Sequence, residues 1–263
     1  MLIIKNSHHA LKVSAFSFML LMALNTYADQ LLSFEGKAVD LETLDLLYTE
    51  NHQVILNDAG DYLSAFVTYI NPDGDIFAEK TLDYGKNSLA PDMTFYDKRS
   101  GERTHVTLNT ADANFHVLIE TDKKRSESKV KLDDSLVVVD SGFDRMIESR
   151  WRSFRKDKGL EFTFLAITRS RLINFEATEV KANDVSVTIE LNPRNFFINL
   201  LLDPIALEYD IINQRLLSFE GISNIEVFEN GQRTEKNHVA RIDYKYQPLK
   251  ALSINSFELI QKY

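Results

Sequence analysis

Strict alternation of apolar and polar residues runs through most of this chain. In Val185-Ser186-Val187-Thr188-Ile189-Glu190-Leu191 every odd position is apolar and every even one polar, as in a strand with one buried face. The same period predicts strands at Asp61 to Ile70 and Asp75 to Tyr84, joined by the hairpin turn Asn71-Pro72-Asp73-Gly74. Further antiparallel pairs are predicted for Met93 to Asp97 with Arg103 to Asn109, Phe115 to Thr121 with Lys129 to Leu132, and Leu160 to Thr168 with Leu172 to Val180. Asn195 to Leu202, Ile205 to Asp210, Arg215 to Phe219, Asn224 to Phe228 and Val239 to Tyr246 complete a meander. Connections are short, and no linker or low-complexity tract divides the chain. The fold class expected is all-β with one helix. About a dozen strands would form a single strongly curved antiparallel meander, a half-barrel or open barrel, because so long a sheet must curl or close to protect its edges.

One segment departs from the period. Ser141 to Gly159 (SGFDRMIESRWRSFRKDKG) has helical spacing, with Phe143, Met146, Ile147, Trp151 and Phe154 on one stripe. Ser141 and Asp144 resemble a capping box, and Gly159 is a natural stop. The concave face of the curved sheet is the place to bury such a stripe. At 100° per residue Arg150 falls near its middle. A guanidinium there needs carboxylate or carbonyl partners, with Asp210 and Glu176 as candidates, or a partly polar cavity under the helix. Arg150, Trp151, Phe143, Ile147 and Phe154 are therefore the candidate ligand-binding residues. Arg152, Arg155 and Lys156 crowd the opposite helix face and are candidates for docking a partner.

The first residues read as a leader. Lys5 and Lys12 precede the apolar run Val13 to Leu24, too short for a comfortable membrane span, and Thr26-Tyr27-Ala28 supplies the small residues a signal peptidase reads. Cleavage is expected after Ala28. This gives residues 1–28 as signal peptide, residues 29–263 as a single β domain, and the periplasm as destination; the alternative is an N-terminal membrane anchor. The chain has no Cys, so no lipoprotein anchor and no disulfide is available. Its net charge is -9, and the leader carries lysines but no acids, so the mature chain is more acidic still. Such a balance gives no general attraction for nucleic acid, and no membrane span is expected in the mature chain.

Motifs for chemistry are weak. Val137-Val138-Val139-Asp140-Ser141-Gly142 has the look of an aspartic-protease loop, but no second Asp-Thr/Ser-Gly is present and a helix follows at once. Asp140 and Ser141 are expected to end a strand and cap that helix. Asn71 to Asp75 superficially suits calcium, yet its Gly is at the fourth place and Leu82 stands where the last acid belongs. His52, His105, His116 and His238 are scattered, and no metal or cofactor is expected. The hexamer LLSFEG occurs twice, at Leu31 to Gly36 and Leu216 to Gly221, and residues 37–48 share no identity with 222–233. Each copy reads as a strand bent at Gly that helps curl the sheet, with Phe34 and Phe219 inward and Glu35 and Glu220 outward. The catalytic alternative has Glu35 and Glu220 converging as a general acid and base.

The succession "VVVDSGFDRMIESRW", "ITRSRL", "LLLDPIALEYDIINQRLLSFEGISNI" and "VARIDY" resembles a family of uncharacterised exported proteobacterial proteins. It does so over most of the mature chain and best from Leu136 onward. The resemblance implies a curved half-barrel similar in shape to the periplasmic lipoprotein carriers LolA and LolB, and it implies no catalytic residues. Those carriers use several helices, whereas this chain predicts one. The function expected is non-catalytic binding or carriage of an apolar or amphipathic ligand, or of a protein segment, between helix and sheet. The alternatives are a structural or assembly factor of the cell envelope with a filled core, and a hydrolase using paired carboxylates. The partners expected are a lipid, another apolar ligand or an envelope protein.

Overall fold

A computed structural model describes residues 29–132, 136–194 and 204–252. The leader and the predicted strand at Asn195 to Leu202 lie outside the described residues. In chain order the elements are β1 (Gln30–Asp40), β2 (Leu46–Leu56), β3 (Tyr62–Ile70), β4 (Ile76–Asp83), β5 (Asp92–Asp97), β6 (Glu102–Asn109), β7 (Asn114–Glu120), β8 (Arg125–Lys131), β9 (Val137–Val138), α1 (Gly142–Ser149) and α2 (Trp151–Asp157). They continue with β10 (Gly159–Ala166), β11 (Arg171–Ala182), β12 (Ser186–Pro193), β13 (Ile205–Asp210), β14 (Leu216–Glu229), β15 (Gln232–Tyr246) and β16 (Lys250–Ala251). All strands belong to one sheet of order β8-β7-β6-β5-β4-β3-β2-β1-β15-β14-β13-β12-β11-β10-β9, with β16 added beside β1. Pairing is antiparallel except between β9 and β10. The architecture is an open, all-β half-barrel with its helical segment packed on the sheet.

The path opens and ends at neighbouring points of the chain. β8 stops at Lys131 and β9 starts at Val137, so the two edges of the sheet are tied by residues 132–136. No ladder joins β8 to β9 among the described residues. A side-chain hydrogen bond between Ser128 Oγ on β8 and Ser170 Oγ in the β10–β11 turn, 2.6 Å, crosses the seam instead. Under it, Val130, Val137, Val139 and Leu165 share one buried cluster.

The two LLSFEG copies flank the same strand. Phe34 pairs with Tyr246 and Gly36 with Tyr244 on one side of β15, while Phe219 pairs with Ile242 and Gly221 with Ala240 on the other. Phe34 and Phe219 pack on the interior clusters. Glu35 and Glu220 face out, 3.7 Å from Lys37 and Arg241 respectively. Glu35 lies opposite Lys245 and Glu220 opposite Arg241. The carboxylates are therefore separated by β15 and offset by about 13 Å along it, which rules out a shared catalytic cleft.

Each glycine answers a different steric demand. A Cβ on Gly36 would stand 2.7 Å from the Tyr244 ring, which leans across it. Gly221 has φ +148 and lies under Ile205, so both its backbone and its neighbour exclude a side chain.

The helical segment is broken at Arg150, whose φ of −108° and ψ of 10° leave the α region. Ser149 Oγ donates to the Met146 carbonyl and Ser153 Oγ to the Arg150 carbonyl, which also accept the Arg150 and Phe154 amides; such back-bonding often bends helices. The single straight helix expected over Ser141 to Gly159 is thus two short ones. Lys158, at φ 58°, makes the left-handed stop expected of Gly159. The break rotates Arg150 off the apolar stripe to a partly exposed position, and Arg145 is the guanidinium that is buried, at 8% exposure. It stacks over Tyr62, 4.4 Å from the ring centre, with Asp61 and Glu148 as carboxylate partners.

Candidate functional site

The concave face carries polar residues in register. One row runs Tyr244, Gly36, Glu50, Tyr69, Ala78 across β15, β1, β2, β3 and β4. The next runs Tyr246, Phe34, His52, Val67, Lys80 across the same strands. Because Gly36 has no side chain, the Tyr244 phenol passes over it and donates to Glu50 Oε2 at 3.3 Å. His52 Nε2 lies 2.9 Å from the same oxygen. Phe34 stacks on His52 with 4.2 Å between ring centres.

Two largely buried carboxylates fix α1 on this surface. Asp140, at φ 46°, ends the Val137-Val138-Val139 run. Its Oδ1 accepts from Lys80 Nζ at 2.7 Å and from the Ser141 amide and hydroxyl at 2.7 Å each. Burial works to raise the Asp140 carboxyl, but the Lys80 charge and these hydrogen bonds outweigh it and hold the group below the usual carboxylate range. The Lys80 ammonium is kept charged by the same pair. The resemblance of Asp-Ser-Gly to a protease loop thus ends in an ion pair. Gly142 follows because a Cβ there would meet the Leu89 carbonyl oxygen at 1.9 Å.

Asp144 does not complete a capping box, since Ser141 makes no side-chain cap. It reaches across to β13, where Tyr209 Oη donates to its Oδ1 at 2.6 Å. Burial pushes the Asp144 carboxyl up to about 6, against the Tyr209 hydrogen bond and the His52 charge that pull it down. A carboxyl raised in the folded state stabilises fully below its unfolded value and loses that contribution as pH rises through about 6. Asp144→Asn keeps the acceptor for Tyr209. It should raise stability by about 2–3 kcal/mol at pH 8 and by almost nothing at pH 4. Urea melts at the two pH values test this, and an equal effect at both would refute it.

The residues expected to bind ligand separate into two groups. Phe143, Ile147 and Phe154 are buried against β10 to β13 in the same cluster as Val187, Ile189 and Leu207. Trp151 joins them, 8% exposed and tilted against Tyr209 at 6.2 Å. The sheet-facing surface of the helices is therefore occupied by core. On the outside, at the break, lies an open cleft of about 320 Å³ lined by Glu148, Ser149, Arg150, Trp151, Arg152, Ser153 and Gln214. Arg150, Trp151 and Arg152 meet there. Of the remaining docking candidates, Arg155 is bound to Glu179 of β11 and Lys156 is exposed.

The polar rows escaped sequence reasoning. In β2 the inward positions Tyr48, Glu50, His52 and Val54 mix polar with apolar, so alternation does not mark the strand. Lys80 sits at an inward position of β4 between Ala78 and Leu82. A charged residue in phase with the apolar set of a predicted strand was the available signal.

No family model matches this chain, and no curated protein matches it. Among solved structures it is similar to a β-barrel-like protein of the domain of unknown function DUF1849 from Brucella abortus, at TM-score 0.43 and 8% identity, covering 86% of this chain and 98% of that one. A DUF1329 family protein from Desulfovibrio piger is similar at TM-score 0.28 and 12% identity, with 90% and 92% covered. A porin-like protein from Bacteroides uniformis is similar at TM-score 0.23 and 9% identity, with 84% and 98% covered.

Proposed function

We propose that this is a non-catalytic binding protein of the periplasm, which uses its concave side as core and holds its ligand or partner outside, at the broken helix. The observation that carries the reading is the cleft at Arg150. It places two arginines and the edge of the only Trp around an open volume, on a chain whose net charge is -9. The leader-like residues 1–28 and the resemblance to exported proteins support the compartment. The cleft sets one aromatic ring, Trp151, beside convergent polar groups, the kind of polar group that fixes a ligand's orientation in small-molecule sites.

Native mass spectrometry of protein purified from a periplasmic extract tests the reading. An added mass that is lost in a Trp151→Ala, Arg150→Ala variant is the expected result. Bare protein in both preparations, or protein found only in membranes with Met1 intact, would remove the proposal. A second reading, a structural or assembly factor of the envelope, is favoured by the filled interior, where Tyr48, Tyr69 and Tyr209 are each about fully buried. It expects the bare protein.

A further inference from the structure

We infer that the cleft at the helix break is an oxyanion site, built for a phosphate-type group carried either by a lipid headgroup or by a free small anion. The inference rests on the binding reading above and narrows it to a ligand chemistry.

Arg150 and Arg152 both line the cleft, and among the described residues neither has a carboxylate within ion-pair distance. Of the other basic side chains near them, Lys156 is exposed and does not line the cleft, and the rest are engaged. Arg145 holds Glu148 and Asp61, while Arg155 and Lys158 share Glu179. Glu148 also lines the cleft, and its carboxylate is turned to Arg145. The positive charge left over in the cleft thus belongs to Arg150 and Arg152.

Ser149 and Ser153 donate their hydroxyls to the helix backbone, to the Met146 and Arg150 carbonyls. Their oxygens keep acceptor capacity but no spare proton, which leaves the two guanidinium forks and the Gln214 amide as donors. Planar guanidinium forks match a tetrahedral oxyanion. Trp151 lines the cleft beside them, and Ile212, two residues before Gln214 in sequence, is 82% exposed. A headgroup in the cleft would find apolar surface for the start of its chain.

The long-range field of an acidic protein repels anions, so any anion held here is held by these local donors. Trp151 is the only Trp of the chain and lines the cleft, so its fluorescence reports on the site directly. The full mature protein is titrated with inorganic phosphate, with phosphatidylglycerol vesicles, with phosphatidylcholine vesicles as reference, and with potassium chloride at matched ionic strength. Saturable change in Trp151 emission with phosphate or with phosphatidylglycerol, beyond the chloride control, is the expected result. Arg150→Gln and Arg152→Gln should each weaken it about tenfold or more.

Response to phosphate alone assigns the site to a free anion. Response to phosphatidylglycerol alone assigns it to a headgroup. Arg152 is exposed, so Arg152→Gln keeps the test meaningful should Arg150→Gln fail to fold, as circular dichroism would show. No response beyond chloride, or identical titrations for parent and variants, overturns the inference. A neutral mass found in the native spectra together with a silent anion titration would leave the binding reading standing and remove this one.

Discussion

Lys80→Met should unfold this protein far more readily than its position in a strand suggests, at a cost of about 3–5 kcal/mol. Lys80 is 5% exposed and its ammonium meets Asp140 at 2.7 Å. Removing the cation leaves a buried carboxylate held only by Ser141 and Asn224. Asp140 then resists burial, and α1, which begins two residues later, loses its anchor. Adding Asp140→Asn to Lys80→Met should recover much of the loss, because Asn tolerates the positive φ of 46° and carries no charge. Urea denaturation of the single and double variants measures this. If the double variant is less stable than Lys80→Met, the pair is not the source of the effect. In the parent, the contribution of Asp140, whose carboxyl is lowered in the fold, is present at neutral pH and lost only as pH falls through its folded value.

Trp151→Ala is the second large effect, at about 3–5 kcal/mol. The indole is 8% exposed, packs on Tyr209 and seats the first residue of α2 on β10 to β13. In a domain of this size the melting temperature should fall by about 10 °C or more. Circular dichroism melts provide the measurement. A fall of under about 3 °C would show that α2 is held by Phe154 and Arg155 rather than by the indole.

The sheet was legible in the sequence where one face is uniformly apolar. β3 to β7 and β10 to β13 follow the alternation closely, and Ile205–Asp210 agrees residue for residue. The inward sense of Phe34 and Phe219 and the outward sense of Glu35 and Glu220 also followed from pleat and burial cost. β2 was hidden because its inward face contains Glu50 and His52, polar residues satisfied only by Tyr244 and by each other. Arg150 was placed on the apolar stripe by a wheel that assumes an unbroken helix. The break lies in the backbone conformation of Arg150, which a periodicity does not carry. The cleft lies at that break, and the sequence marks it only through the adjacent residues Arg150, Trp151 and Arg152.

The seam and the β1–β15 ladder together set an order of assembly. Neighbours from β1 to β8, and from β10 to β15, are consecutive strands, and apart from the β12–β13 connection, which passes outside the described residues, their loops are short and close at small entropic cost. The ladder of β1 with β15 is different, because it joins Phe34 to Tyr246. A chain made or exported from its N-terminus therefore presents a curled sheet of eight strands whose β1 border has no complement until the last strands arrive. That border carries the first LLSFEG, and the strand that finally covers it is the one the second LLSFEG already accompanies. The repeated hexamer thus marks the two sides of the last joint to close, where a newly made chain is most open to pairing with the wrong neighbour.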